Sequence, residues 1–125
     1  MSKLITMTGP SSVSQSRLIR LRDRRYTIRY PFAADAELID METGKQVSGV
    51  TSDISLGGCF VCTSKPLLVN TRARLTLERK GQVLETTVIV RIVKQRIGLG
   101  VEFFDLEPPN DRILSKWIET LRQSR

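Results

Sequence analysis

Histidine is absent from the chain, which removes the commonest general base and the commonest metal ligand together. Cysteine is nearly absent: Cys59 and Cys62 are the two thiols, and no second pair exists to complete four zinc ligands. Their Cys-x-x-Cys lies in Gly57-Gly58-Cys59-Phe60-Val61-Cys62-Thr63, which reads as a buried strand, where residues i and i+3 point to opposite faces. Two small core or near-core thiols in a reducing compartment are therefore expected, and no metal. Aromatic residues make up 6% of the chain, and Tyr26, Tyr30, Phe32 and Phe60 are scattered, which is little from which to build a base-stacking surface. No apolar run approaches the roughly 20 residues of a membrane span. The N-terminus lacks the apolar core of a secretory signal, so the cytoplasm is the expected location. Ser55 and Asp53 have no intervening base to complete a nucleophilic triad. No catalytic residue and no cofactor are assigned, and an enzyme is not expected.

Acid is also scarce at one end. Asp23 is the single acid among the first thirty residues, against Lys3, Arg17, Arg20, Arg22, Arg24, Arg25 and Arg29. That end therefore carries a net +6 of the chain's +7, and the rest is nearly neutral, with thirteen cations against twelve acids. Such asymmetry asks for an anionic partner. The density peaks at Arg24-Arg25-Tyr26-Thr27-Ile28-Arg29-Tyr30-Pro31, just before the first strand.

A length of 125 residues, 40% of them hydrophobic and 26% charged, is one domain's worth of ordinary globular sequence. Residues 1–21 are expected to form a flexible basic tail, because Thr8-Gly9-Pro10-Ser11-Ser12 and Ser14-Gln15-Ser16 are polar and turn-prone. Arg17 to Arg24 could be a short helical turn or a loop that orders on binding. Pro31 then forces Tyr30 toward extended geometry. Ala34, Ala36 and Leu38 alternate with Asp35 and Glu37 as a half-buried strand ending in the Met41–Gly44 turn. Lys45 to Thr51 resumes as strand, with Val47 weakly and Val50 more clearly apolar. Asp53–Gly58 interrupts it, and Cys59–Cys62 continues.

Arg72 to Arg79 places Ala73, Leu75 and Leu77 on one face. Lys80-Gly81 is a tight turn. In Val83 to Lys94, Val88, Val90 and Ile92 are expected to face one way and Ile89 and Val93 the other. Leu99–Phe103 alternates again. Short strands joined by tight turns argue for an antiparallel barrel or sandwich. A helix over about 110–122 follows, with Asn110 as its expected N-cap and Asp111 in its first turn. Its stripe of Ile113, Leu114, Trp117, Ile118 and Leu121 suits packing on the barrel or on a partner subunit.

A second constellation is Asp53-x-Ser55-x-x-Gly58, with Gly57 beside it. Adjacent glycines admit close backbone approach. A carboxylate accepting from the guanine N1–H and N2–H₂ edge would use this geometry, and so would an Asx-type turn. Taken with Arg25-x-x-x-Arg29, the pattern resembles the PilZ domain family, whose members bind the bacterial second messenger cyclic di-GMP. Its signature is R-x-x-x-R followed by [DN]-x-S-x-x-G, and both halves are complete here. Leu99-Gly100-Val101-Glu102-Phe103 looks like the family's G-x-G-V-x-F strand, and the likeness spans about residues 22–122.

The resemblance implies an all-β fold, a small six-stranded antiparallel barrel with a C-terminal helix. It implies that Arg25 and Arg29 grip guanine and phosphate, while Asp53, Ser55, Gly57 and Gly58 read a guanine from the barrel surface. Arg24 stands where the family can add a contact to a second, stacked ligand. The chemistry agrees: a guanidinium offers a fork to guanine O6 and N7 or to phosphate, and can stack on a purine. The expected role is that of a stand-alone receptor whose basic N-terminal segment orders on cyclic di-GMP and is read by a separate effector protein. The alternatives are a nucleotide-independent adaptor of the same fold and a small basic nucleic-acid-binding barrel.

Overall fold

The structure is a computed structural model and describes residues 26–124. The expected tail, and with it Arg24 and Arg25, lies outside the described residues. Seven strands are present among the described residues: β1 (Tyr30–Pro31), β2 (Asp35–Asp40), β3 (Gln46–Ile54), β4 (Gly58–Cys62), β5 (Arg72–Arg79), β6 (Gln82–Lys94) and β7 (Gly98–Phe104), followed by helix α1 (Asn110–Gln123). Period-two alternation makes the strands. In β5, Ala73, Leu75 and Leu77 are fully buried while Arg72 and Arg74 are exposed, and β2 buries Ala36 and Leu38 in the same rhythm.

Every pairing is antiparallel, and the ring closes through β2–β3–β4–β7–β6–β5 and back to β2, a six-stranded barrel. β1 adds a short seventh strand outside the ring, with Tyr30 opposite Ile54 and Pro31 opposite Asp53. Closure leaves those six strands without an open edge. The interior is filled by Leu38, Ile54, Val61, Leu75, Leu77, Leu84, Val88, Val90, Leu99 and Phe103, all fully buried.

Three local expectations are corrected. Val47, not Val50, faces the core, because inward period-two positions of β3 run through residues 47, 49 and 51, and Val50 is left on the exterior. Ile92 does not share a face with Val88 and Val90: a bulge between Val90 and Ile92 makes Arg91 the extra residue and turns Ile92 outward, 52% exposed. Asn110 is not the N-cap. Pro109 holds that place without a side-chain bond, and the Asn110 Oδ1 accepts the Glu85 backbone N–H at 2.9 Å, tying α1 to β6.

The apolar stripe of α1 packs on the barrel, burying Leu114, Trp117 and Ile118. Trp117 lies 5.1 Å from the Phe32 ring between centroids and donates its indole N–H to Gln82 Oε1 at 2.9 Å. Buried Thr51 holds the incoming chain: its hydroxyl donates to the Phe32 carbonyl and accepts the Ala34 N–H. That anchor fixes the path of residues 26–34 across the end of β3.

Candidate functional site

The β3–β4 turn is built by Ser55. Its buried hydroxyl accepts the N–H groups of Gly57 and Gly58 at 3.1 and 3.2 Å and donates to the Gly58 carbonyl at 3.3 Å. The Ser55 N–H also donates to the Gly58 carbonyl, at 2.8 Å. This is a closed local network of the kind Ser favours in turns, so the serine's chemistry is spent on shaping the loop.

Both glycines follow from packing. A Cβ on Gly58 would stand 2.0 Å from the Val101 carbonyl oxygen across the β4–β7 pair, and one on Gly57 would stand 2.9 Å from the Tyr26 carbonyl oxygen. Gly57 is thus where the arginine-bearing segment comes down on the turn.

That approach joins the two sequence motifs. The Arg29 guanidinium donates through Nη1 to Asp53 Oδ1 at 2.5 Å, across 24 residues of sequence. The side chains are 50% and 30% exposed respectively, and Asp53 Oδ2 also accepts from the Ser52 hydroxyl. Asp53 reaches outward because β3 is irregular between Thr51 and Asp53. Of the expected site residues, Arg29, Asp53, Ser55, Gly57 and Gly58 are brought together, while Arg24 and Arg25 lie outside the described residues.

Beside this turn opens a cleft of about 220 Å³ lined by Tyr26, Thr27, Arg29, Ser55, Gly57 and Gly58 on one side and by Arg91, Ile92, Gly100, Val101 and Glu102 on the other. The second wall was not singled out from sequence as part of a site. Arg91 Nε donates to Glu102 Oε1 at 2.8 Å, so that wall carries its own oriented guanidinium. The signal was present: Arg91 interrupts the apolar run from Val88 to Val93, a pattern that marks a bulge as readily as a charged edge. Together the walls offer a mostly apolar cleft whose lining includes the Arg29 and Arg91 guanidinium groups, suited to a heteroaromatic ring carrying anionic groups.

Cys59, beneath this turn, is fully buried, and burial together with nearby Asp53 pushes its thiol up to about 12. Cys62 lies on the opposite face and is exposed, so of the two thiols expected in or near the core only Cys59 is there. Among the described residues, no cluster of acids and cysteines could hold a metal ion, and no helix is long and apolar enough to cross a membrane. Tyr30 and Phe32 are buried in the core and offer no stacking platform.

The sequence model of the PilZ domain matches residues 23–120. No curated protein matches the chain. Among solved structures, the chain resembles the PilZ domain of CeSA from a cellulose-synthesizing bacterium, with a TM-score of 0.62 and 22% identity over 76% of this chain and 98% of that one. It also resembles the Escherichia coli YcgR PilZ domain with c-di-GMP, with a TM-score of 0.65 and 16% identity over 82% of this chain and 93% of that one. For the Bacillus subtilis inhibitor of motility (MotI/DgrA), the TM-score is 0.66 at 16% identity over 78% of this chain and 51% of that one. At these identities, the likeness is one of fold: the closed six-stranded barrel with a C-terminal helix.

Proposed function

Because this chain belongs to the PilZ domain family, we propose that it is a receptor for cyclic di-GMP. PilZ domains are ligand-binding receptor domains rather than enzymes. The observation that carries the reading is the meeting of Arg29 with Asp53 beside the Ser55–Gly58 turn, with Arg29, Ser55, Gly57 and Gly58 lining one cleft.

In this reading Arg25 and Arg29 supply the cationic forks for guanine O6 and N7 and for phosphate oxygens. Arg29 is held to Asp53 through one nitrogen, so its orientation is set before ligand arrives, and less side-chain freedom is lost on binding. Asp53 accepts from a guanine edge as well as steering Arg29. Ser55, Gly57 and Gly58 hold the turn low enough for a base to approach. Arg24 adds a contact to a second, stacked ligand. The finer function is that of a switch: the ligand neutralises the charge of the basic N-terminal segment, and a separate protein reads the change.

The test is calorimetry of the full chain with cyclic di-GMP. Saturable heat with micromolar or tighter affinity is expected. No heat at high ligand concentration overturns the receptor reading.

A further inference from the structure

The second wall of the cleft carries an arginine that the signature does not include. Arg91 is the extra residue of the β6 bulge between Val90 and Ile92, so its side chain leaves the regular alternation of the strand. Glu102, on neighbouring β7, takes its Nε at 2.8 Å. That bond leaves the two terminal nitrogens outside it, as a fork whose direction Glu102 sets. Next to the pair, Ile92 is 52% exposed and stands opposite Gly100.

Gly100 differs from the other glycines of this region. A Cβ there would meet Ile92 Cβ at 3.6 Å and Phe60 Cδ1 at 3.7 Å, ordinary contact, whereas at Gly58 and Gly98 it would collide with backbone oxygens at 2.0 and 2.2 Å. Packing does not require a bare position at Gly100. The glycine, itself buried, leaves the space between Ile92 and Phe60 without a side chain of its own.

We propose that Arg91, oriented by Glu102, is a third base-reading arginine: a guanine lies on the Ile92–Gly100 shelf and presents O6 and N7 to the Arg91 fork. An apolar surface suits the face of a base better than a phosphate, and the O6/N7 pair is the acceptor pattern that fits a guanidinium fork. Glu102 is a positioning residue that holds the fork and touches no ligand atom. The proposal rests on the receptor reading above and assigns to the bulge a share of its guanine selectivity.

The experiment is calorimetry of the full chain with cyclic di-GMP and with its 7-deaza analogue, which lacks the N7 acceptor. Wild type is compared with Arg91→Ala, Glu102→Gln, Glu102→Ala and Gly100→Ala, and thermal unfolding checks that each variant is folded. Arg91→Ala is expected to weaken cyclic di-GMP on the order of tenfold, and to weaken the 7-deaza analogue clearly less. Glu102→Ala should lose part of the same factor, and Glu102→Gln, whose amide oxygen still accepts from Nε, should restore it. Gly100→Ala should weaken binding without lowering stability. Binding by Arg91→Ala within twofold of wild type overturns the proposal. An equal loss with both ligands also overturns it, since it makes Arg91 a phosphate contact. No heat from wild type with either ligand overturns the receptor reading itself, a result distinct from both.

Discussion

Arg29 and Gly58 illustrate two ways in which a motif residue can matter. The Arg29–Asp53 pair is half open to solvent, and such pairs contribute at most about 1 kcal/mol to folding. Arg29→Ala should therefore leave the denaturation midpoint almost unchanged. In calorimetry with cyclic di-GMP it should cost about 2–5 kcal/mol of binding, the usual loss when one member of a desolvated charged contact is truncated. Gly58 behaves in the opposite sense. Gly58→Ala drives a methyl into the Val101 carbonyl, an overpacking expected to cost about 1–3 kcal/mol in a urea melt. Any loss of ligand affinity in that variant then follows from a distorted turn. Ser55 belongs with Gly58, because its hydroxyl is engaged three times within the turn.

Among the elements, α1 and β6 decide most. The helix has no side-chain cap, so its place on the barrel depends on the burial of Leu114, Trp117 and Ile118 and on the Asn110 bond to β6. Trp117→Ala removes a buried aromatic, its contact with Phe32 and its bond to Gln82. The expected loss is about 3–5 kcal/mol in chemical denaturation. The chain has one tryptophan, so the wild-type emission reports undocking of this helix directly. The barrel end of the site depends on β6 in another way: one inserted residue in that strand moves Ile92 from core to surface and frees Arg91 from the alternation.

For the whole molecule, the buried thiol under the turn makes stability depend on alkaline pH. Burial holds Cys59 neutral, raising it from 9.0 to about 12 in the folded protein. Below pH 9 folded and unfolded chains both keep that proton, and the thiol adds no pH dependence. As pH rises from 9 toward 12 the unfolded chain releases the proton and the folded chain retains it, so stability falls by up to about 1.4 kcal/mol per pH unit from this group. Urea melts below and above pH 9 should show a shallower fall for Cys59→Ala than for wild type. An identical slope in both would assign the alkaline loss to other groups.

Charge asymmetry, strand periodicity, the tight turns, the C-terminal helix and the two short motifs were all legible in the residues themselves. They are local properties, set by side-chain chemistry and by spacing along the chain, and the antiparallel all-β class followed from them. What those properties could not express was contact across the barrel. Pairing of β1 with β3 brings Arg29 to Asp53 and Tyr26 down on Gly57, and pairing of β4 with β7 stands Val101 where only a glycine fits. A bulge depends on the register of two paired strands, so the outward turn of Ile92 and the placing of Arg91 beside Glu102 are written in the β6–β7 pairing rather than in either strand alone. The helix shows the same division: its apolar stripe was readable, but whether a barrel or a second subunit covers Trp117 is decided by which surface is within reach, and here Phe32 and Gln82 are.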